Sequence, residues 1–194
     1  PVFFGKLTRP LFEDVTLDVQ AGEILGITGR LGAGRTELAL ALFGLEPATG
    51  GEIRINDVPT EIRGNRQAIA AGIAYVPEDR IQLGLVMEQP IATNIVLTII
   101  NSLTRMLGLV VPALRKSAAD RWIGQLGIKV SDPENPVKTL SGGNQQRVVL
   151  GKWLATDPRI LILDNPTVGV DITAKDGIYA ITRRLAADGM AIIL

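Results

Sequence analysis

An α/β fold with a small antiparallel β layer and an inserted helical subdomain is what this 194-residue sequence predicts, and three observations predict it. A buried-strand pattern, Glu23 to Thr28, runs into Gly29-Arg30-Leu31-Gly32-Ala33-Gly34-Arg35-Thr36 and then into a helical pattern, the context a phosphate-binding loop requires. A second apolar strand, Ile160 to Leu163, ends in the carboxylate Asp164. Between them lie a mostly helical stretch, about residues 82–138, and the segment Leu140-Ser141-Gly142-Gly143-Asn144-Gln145-Gln146.

Taken in chain order, alternation at Val15, Leu17 and Val19 against polar neighbours predicts a half-buried strand that turns at Ala21-Gly22. The strand over 23–28 and its glycine loop follow, then a helix over Thr36 to Phe43 with Leu38, Ala41 and Leu42 on one face and Gly44 at its end. Gly50-Gly51, Glu52 to Ile55 and Asn56-Asp57 predict a return strand and a turn. A short helix closing over Ala68 to Gly72 leads to the strand Ile73 to Val76, and Pro77 terminates that strand before Glu78-Asp79-Arg80. Within 82–138 the turns fall at Pro112 and from Ser131 to Pro136. Ser141 has the N-cap chemistry for a helix that turns Val149, Leu150, Trp153 and Leu154 inward and stops at Asp157-Pro158. A helix over Thr173 to Ala187 and a strand from Ala191 complete one domain spanning residues 1–194.

Composition narrows the function. Lys plus Arg and Asp plus Glu each total 20, so the net charge is zero and there is no electrostatic footprint for nucleic acid. The chain has no Cys, which excludes disulfides and thiolate metal sites, and no His, which removes the commonest general base. A cytosolic setting and a soluble domain fit this usage. The positive mean hydropathy, +0.26, points to apolar surface covered by partners. Ile91 to Val111 is long enough to raise a membrane span, but Asn94, Asn101, Thr104 and Arg105 interrupt it, so a packed helix is expected. The chain opens at Pro1 and stops at Leu194 inside an apolar run, the pattern of a piece truncated at its C-terminus.

The glycine loop carries the first chemistry. Backbone N–H groups from Gly32 to Thr36, at a helix N-terminus, can cradle phosphate oxygens, and the Thr36 hydroxyl and the Asp164 carboxylate are hard oxygen donors suited to Mg²⁺. Arg35 stands where such loops carry Lys; its planar fork is longer and stiffer than an ammonium. Glu37 adds negative charge that suits the helix dipole but opposes a triphosphate. Ser141, Gly142 and Gly143 form a second anion site at a helix N-terminus. Because the chain already holds one such site, the second is expected to serve a nucleotide held by another subunit. Asn165 follows Asp164, and a neutral amide cannot take a proton from an attacking water.

With these residues in view, the chain resembles the second ATPase half of the ATP-binding subunit of sugar-importing ABC transporters of the ribose, galactose and xylose type. The residues that carry the resemblance are Gly-Ala-Gly-Arg-Thr-Glu at 32–37, Tyr75-Val76-Pro77-Glu78-Asp79-Arg80, and the signature Leu-Ser-Gly-Gly-Asn-Gln-Gln at 140–146. The resemblance implies a P-loop NTPase fold of ABC-ATPase type that binds ATP and Mg²⁺. Gly29, Gly32, Ala33, Gly34, Arg35, Thr36 and Glu37 would line its own nucleotide, with Mg²⁺ on Thr36 and Asp164. Ser141, Gly142, Gly143, Asn144 and Gln145 would meet the nucleotide of the partner. Glu78 would occupy the Q-loop position and Asn165 that of the usual Glu, while Asp171 would lie in the segment that crosses the dimer seam. Phe4 is the candidate for stacking on adenine, and the switch position would fall beyond Leu194.

The implied partners are an N-terminal ATPase half in the same polypeptide, transmembrane permease subunits and, indirectly, a sugar-binding protein, with no nucleic acid. The implied location is the cytoplasmic face of the inner membrane, held there by the permease. One active and one degenerate site are expected, and the isolated chain is expected to be weak or inactive. Two other functions fit part of the pattern: a nucleotide-binding regulatory module that does not hydrolyse ATP, and a soluble ABC protein acting on nucleic acid or ribosomes. A P-loop kinase would leave residues 140–146 without a role.

Overall fold

The computed structural model describes residues 12–30, 32–46, 48–105 and 108–194. Phe4 lies outside them. Runs of β-branched and aliphatic residues form the centre: β4 (Ile73–Val76) and β5 (Ile160–Leu163), joined by β6 (Ala191–Ile193) and β1 (Ile24–Leu25) in one parallel sheet of order β1-β6-β5-β4. β4 is buried along its length and β5 nearly so, as expected of strands with both faces covered. Residues 23–28 differ from expectation. Only Ile24–Leu25 form strand, at the sheet edge, and Ile24 is 37% exposed, because β6 pairs with one side alone.

Residues 15–19 pair with no strand among the described residues, where a strand was expected. Leu17 and Val19 do pack on the core beside Phe43 and Tyr75, so the alternation correctly marked the inward side chains. A strand also needs a neighbouring backbone, which alternation does not encode. The antiparallel layer among the described residues is the hairpin β2 (Arg54–Ile55) and β3 (Val58–Pro59), turned by Asn56 and Asp57 at φ 52° and 62°.

Helices cover both faces. α1 (Arg35–Leu42) follows the glycine loop and buries Ala39 and Ala41, with Phe43 1% exposed at its C-cap. α2 (Asn65–Ala70) precedes β4. The stretch from Ile91 is not one helix: α3 (Ile91–Val96) tightens into 3-10 structure over Leu97–Leu103, and Thr104 bridges to Val110. Ser102 and Thr104 hydroxyls donate back to the carbonyls of Ile99 and Asn101, bonds that compete with a continued α-helix. No helix of the described residues is long and apolar enough to cross a membrane. Pro112, expected in a turn, begins α4 (Pro112–Leu126), where its fixed φ is preorganised and its missing N–H costs nothing. α5 (Gly142–Leu154) buries Val148, Val149, Leu150 and Leu154, and α6 (Ile172–Ala187) starts on Asp171. Trp153 is half-buried, its ring edge-on to Phe43 at 5.2 Å.

One buried charge has a measurable consequence. Lys152 on α5 is 6% exposed and donates from Nζ to the Gly84 carbonyl at the end of a π-helical turn, Arg80–Gly84. Burial pushes its pKa down from 10.5 to about 8. Between those values the unfolded chain holds a proton that the folded chain has released, so stability rises with pH there. Lys152→Met removes the dependence. In urea unfolding, the stability of the variant minus that of the parent should fall by about 3 kcal/mol between pH 7 and pH 11. A difference that stays constant with pH would mean that Lys152 remains charged in the fold.

Candidate nucleotide-binding site

Parallel strands deliver their C-terminal ends to one side of the sheet, and ligands bind beyond that edge in such folds. Three connections meet there: the glycine loop after β1, Pro77–Arg80 after β4, and Asp164–Asp171 after β5. Gly32 and Gly34 take φ 76° and 84°, which a side chain would resist, so the glycine spacing is what lets the backbone curl ahead of α1. No side chain caps α1 at Gly34, leaving its first N–H groups to face an anion. Gly29 and Gly32 are exposed, Ala33 is exposed and Thr36 half-buried. Glu37 lies in the first turn of α1 and helps keep the neighbouring Glu46 carboxyl above its usual range, after the effect of burial.

The Thr36 hydroxyl lies 3.3 Å from Asp164 Oδ1, and the Tyr75 hydroxyl donates to Asp164 Oδ2 at 3.1 Å. Burial raises the Asp164 pKa, and the bonds from Thr36 and Tyr75 oppose the rise. A hydroxyl and a carboxylate oxygen held side by side next to free backbone N–H groups are the hard donor set that Mg²⁺ with bound phosphates takes, so these residues fit both groups. Arg35 folds its stem toward Gly29, whose added Cβ would stand 3.7 Å from Cδ. It also lines a cavity of about 40 Å³ beneath the loop with Leu38, Leu163 and Asn165. Ligand pockets run to roughly 300 Å³ and above. The cavity is therefore too small to hold a nucleotide.

Asn165, at φ 42°, donates from Nδ2 to Glu78 Oε2 at 2.9 Å. The structure thus brings Glu78 and Asn165 together beside Asp164. Tyr75 had no role assigned from the sequence, although it belongs to the quoted Tyr75–Arg80 segment; a hydroxyl one register from a strand end was the available signal.

Ser141 to Gln145 gather elsewhere. Ser141 occupies the N-cap position of α5 with its hydroxyl exposed, but that hydroxyl accepts from Asn144 Nδ2 at 3.1 Å instead of capping a backbone N–H. Asn144 Oδ1 accepts from the Lys129 N–H. Gln145 is buried, its Nε2 donating to the Leu140 carbonyl. A Cβ at Gly143 would stand 2.4 Å from the Ala174 Cβ, so α5 and α6 approach here as only glycine allows. Asp171 is exposed and accepts from Ala174 N and Thr173 Oγ1, the geometry of an N-cap for α6.

A phosphate loop, a carboxylate-ended strand and a glycine-led helix on one parallel sheet define a nucleotide-binding ATPase domain of the ATP-binding cassette type, and the chain belongs to the ABC transporter family, whose model matches residues 12–168. Among curated proteins it is 48% identical over 190 residues to the ribose import ATP-binding protein RbsA of Geobacillus kaustophilus, covering 97% of this chain and 38% of that protein. It is also 45% identical over 183 residues to a putative ribose/galactose/methyl galactoside import ATP-binding protein of Agrobacterium fabrum, covering 94% and 36%. The chain thus spans little more than a third of the length of these relatives. Among solved structures, the dimeric post-hydrolysis state of the ATP-binding cassette MJ0796 bound to ADP and Pi superposes with a TM-score of 0.79 at 22% identity, covering 98% of this chain and 82% of that one. That likeness fixes the fold.

Proposed function

We propose that this chain is a nucleotide-binding domain of a sugar importer's ATPase subunit, and that its Ser141–Gly143 segment completes the ATP site of a partner half in the same polypeptide. ATP hydrolysis there would drive carbohydrate import through transmembrane permease subunits at the cytoplasmic face of the membrane, with a sugar-binding protein delivering the substrate. The sugar-import roles of the relatives support the substrate class, and their greater length leaves room for a second domain of this size.

The observation that carries the proposal is that the chain has two glycine-led helix N-termini, at α1 and at α5, and that Ser141 ahead of the second is exposed, as are Gly29, Gly32 and Ala33 of the first. In a head-to-tail pair, the Ser141 hydroxyl and the N–H groups of Gly142 and Gly143 would face the terminal phosphate held by the partner and stabilise charge that develops during transfer. The chain's own loop would bind Mg-ATP through Gly29, Gly32 to Thr36 and Asp164 with little turnover, since Asn165 cannot act as a base.

Arg35 and Asn165 also favour a second reading, a regulatory module that holds ATP unhydrolysed even beside a competent partner. The first reading predicts that the isolated chain is monomeric with negligible ATPase activity, and that a partner half restores turnover. Phosphate release together with light scattering tests both. Robust turnover from a verified monomer would sink the composite site, and silence beside a competent partner would favour the module.

A further inference from the structure

One polar side chain at the α5 N-terminus makes three hydrogen bonds there, yet neither the motif chemistry nor the family resemblance gives it a role. Arg80 reaches from the loop after β4 and donates from Nη1 to the Val168 carbonyl at 2.9 Å, from Nη2 to the Gly169 carbonyl at 3.1 Å and from Nε to Gln145 Oε1 at 3.4 Å. Its guanidinium is wedged between two glycines. A Cβ at Gly142 would stand 2.9 Å from Nη2, and one at Gly169, where φ is 66°, would stand 3.3 Å from Nη1. The placement does nothing for helix stability, because a cation at the positive end of α5 is opposed by the helix dipole. What it does is tie three separate segments together: the Glu78–Arg80 loop, the 165–171 segment and the first turn of α5.

We propose that Arg80 is a positioning residue that holds the Ser141–Gly143 segment and the 165–171 segment in fixed register, so that both meet the partner's nucleotide as one preformed surface. Each nitrogen of its fork donates one bond within this chain, so Arg80 acts through Val168, Gly169 and Gln145. Two residues upstream, Glu78 accepts from Asn165 at the start of the same segment. The short loop after β4 therefore grips residues 165–169 at both ends. A lysine cannot replace the fork, because one ammonium has no fixed planar geometry with which to bridge two successive carbonyls and an amide.

The inference rests on the composite-site proposal, and its test keeps the two apart. Arg80→Gln and Arg80→Lys are made in the full-length subunit assembled with its permease, with Ser141→Arg run alongside. The expected result is a fall in kcat of roughly tenfold to a hundredfold in both Arg80 variants, the scale of a misplaced site. Binding of β,γ-imido ATP at the partner's loop should stay within about twofold, and KM should move far less than kcat. Should the Gln variant not fold, the Lys variant carries the test. Unchanged kcat in the Arg80 variants, with Ser141→Arg inactive, overturns the positioning role and leaves the composite site standing. Analogue affinity falling in step with kcat also overturns it, since Arg80 would then be contacting nucleotide. Full activity in Ser141→Arg would instead remove the composite site on which the inference depends.

Discussion

Ser141→Arg, introduced into the full-length subunit in its permease complex, is expected to abolish both ATP hydrolysis and sugar transport, whereas Arg35→Ala should leave most of the activity in place. The exposed Ser141 hydroxyl precedes the first N–H groups of α5, and a long cation in its place would occupy the position of the partner's terminal phosphate. An entire preorganised anion site is lost in one variant. In the other, the altered side chain lies near Gly29 and lines the cavity beside Asp164, at the site that the proposed function leaves without turnover. The expected contrast is on the order of a hundredfold or more in rate, roughly 3 kcal/mol of barrier. Steady-state phosphate release from the two complexes decides the matter. Comparable rates would contradict the inequality of the two sites, and a larger loss with Arg35→Ala would reverse their roles.

Asn165→Glu alone should restore little hydrolysis at the chain's own site. The Asn165 amide nitrogen lies 2.9 Å from Glu78 Oε2, so a carboxylate in its place would face another carboxylate at hydrogen-bond distance. Two like charges that close cannot both ionise freely; one takes a proton or the pair splays apart, and neither gives an oriented base. Combining Asn165→Glu with Glu78→Gln returns an amide donor to the pair in reversed order. The double variant should exceed the single one by about a hundredfold, within the range that general-base catalysis supplies. Measuring single-turnover hydrolysis in the Ser141→Arg background silences the other site. Adding Arg35→Lys and Glu37→Ser should then tighten Mg-ATP in calorimetric titration, because a compact ammonium replaces the fork and an opposing charge is removed. Equal rates for the single and double variants would show that Glu78 does not set the state of residue 165.

Much of the site was legible because its chemistry is local. Gly32 and Gly34 are read as a phosphate loop from the sequence, since left-handed backbone at those two positions is a property of the residues themselves. Asp164 at the end of an aliphatic run, and Ser141 ahead of paired glycines, were legible for the same reason. The buried strands β4 and β5 and the helices α5 and α6 followed from apolar periodicity and turn chemistry, with Gly72 marking a helix end where expected.

What only the tertiary structure decided is which distant segments meet. Periodicity says that Leu17 and Val19 face inward, but not whether they join a ladder, and it marks 23–28 as apolar without saying that β1 pairs with β6. The bond from Asn165 to Glu78 joins residues separated by 87 positions, and the Arg80 bonds to residues 168 and 169 span 88 and 89. Contacts of that range leave no mark on local composition. They are set by the order β1-β6-β5-β4, which brings the ends of β4 and β5 together, while the phosphate loop leaves β1 at the far edge and returns to place Thr36 3.3 Å from Asp164. The residue types marked two glycine-led helix N-termini as candidate anion sites. Strand order determined that the loops after β4 and β5 lie side by side, because neighbouring strands are fixed by backbone pairing across the sheet and not by any sequence-local preference.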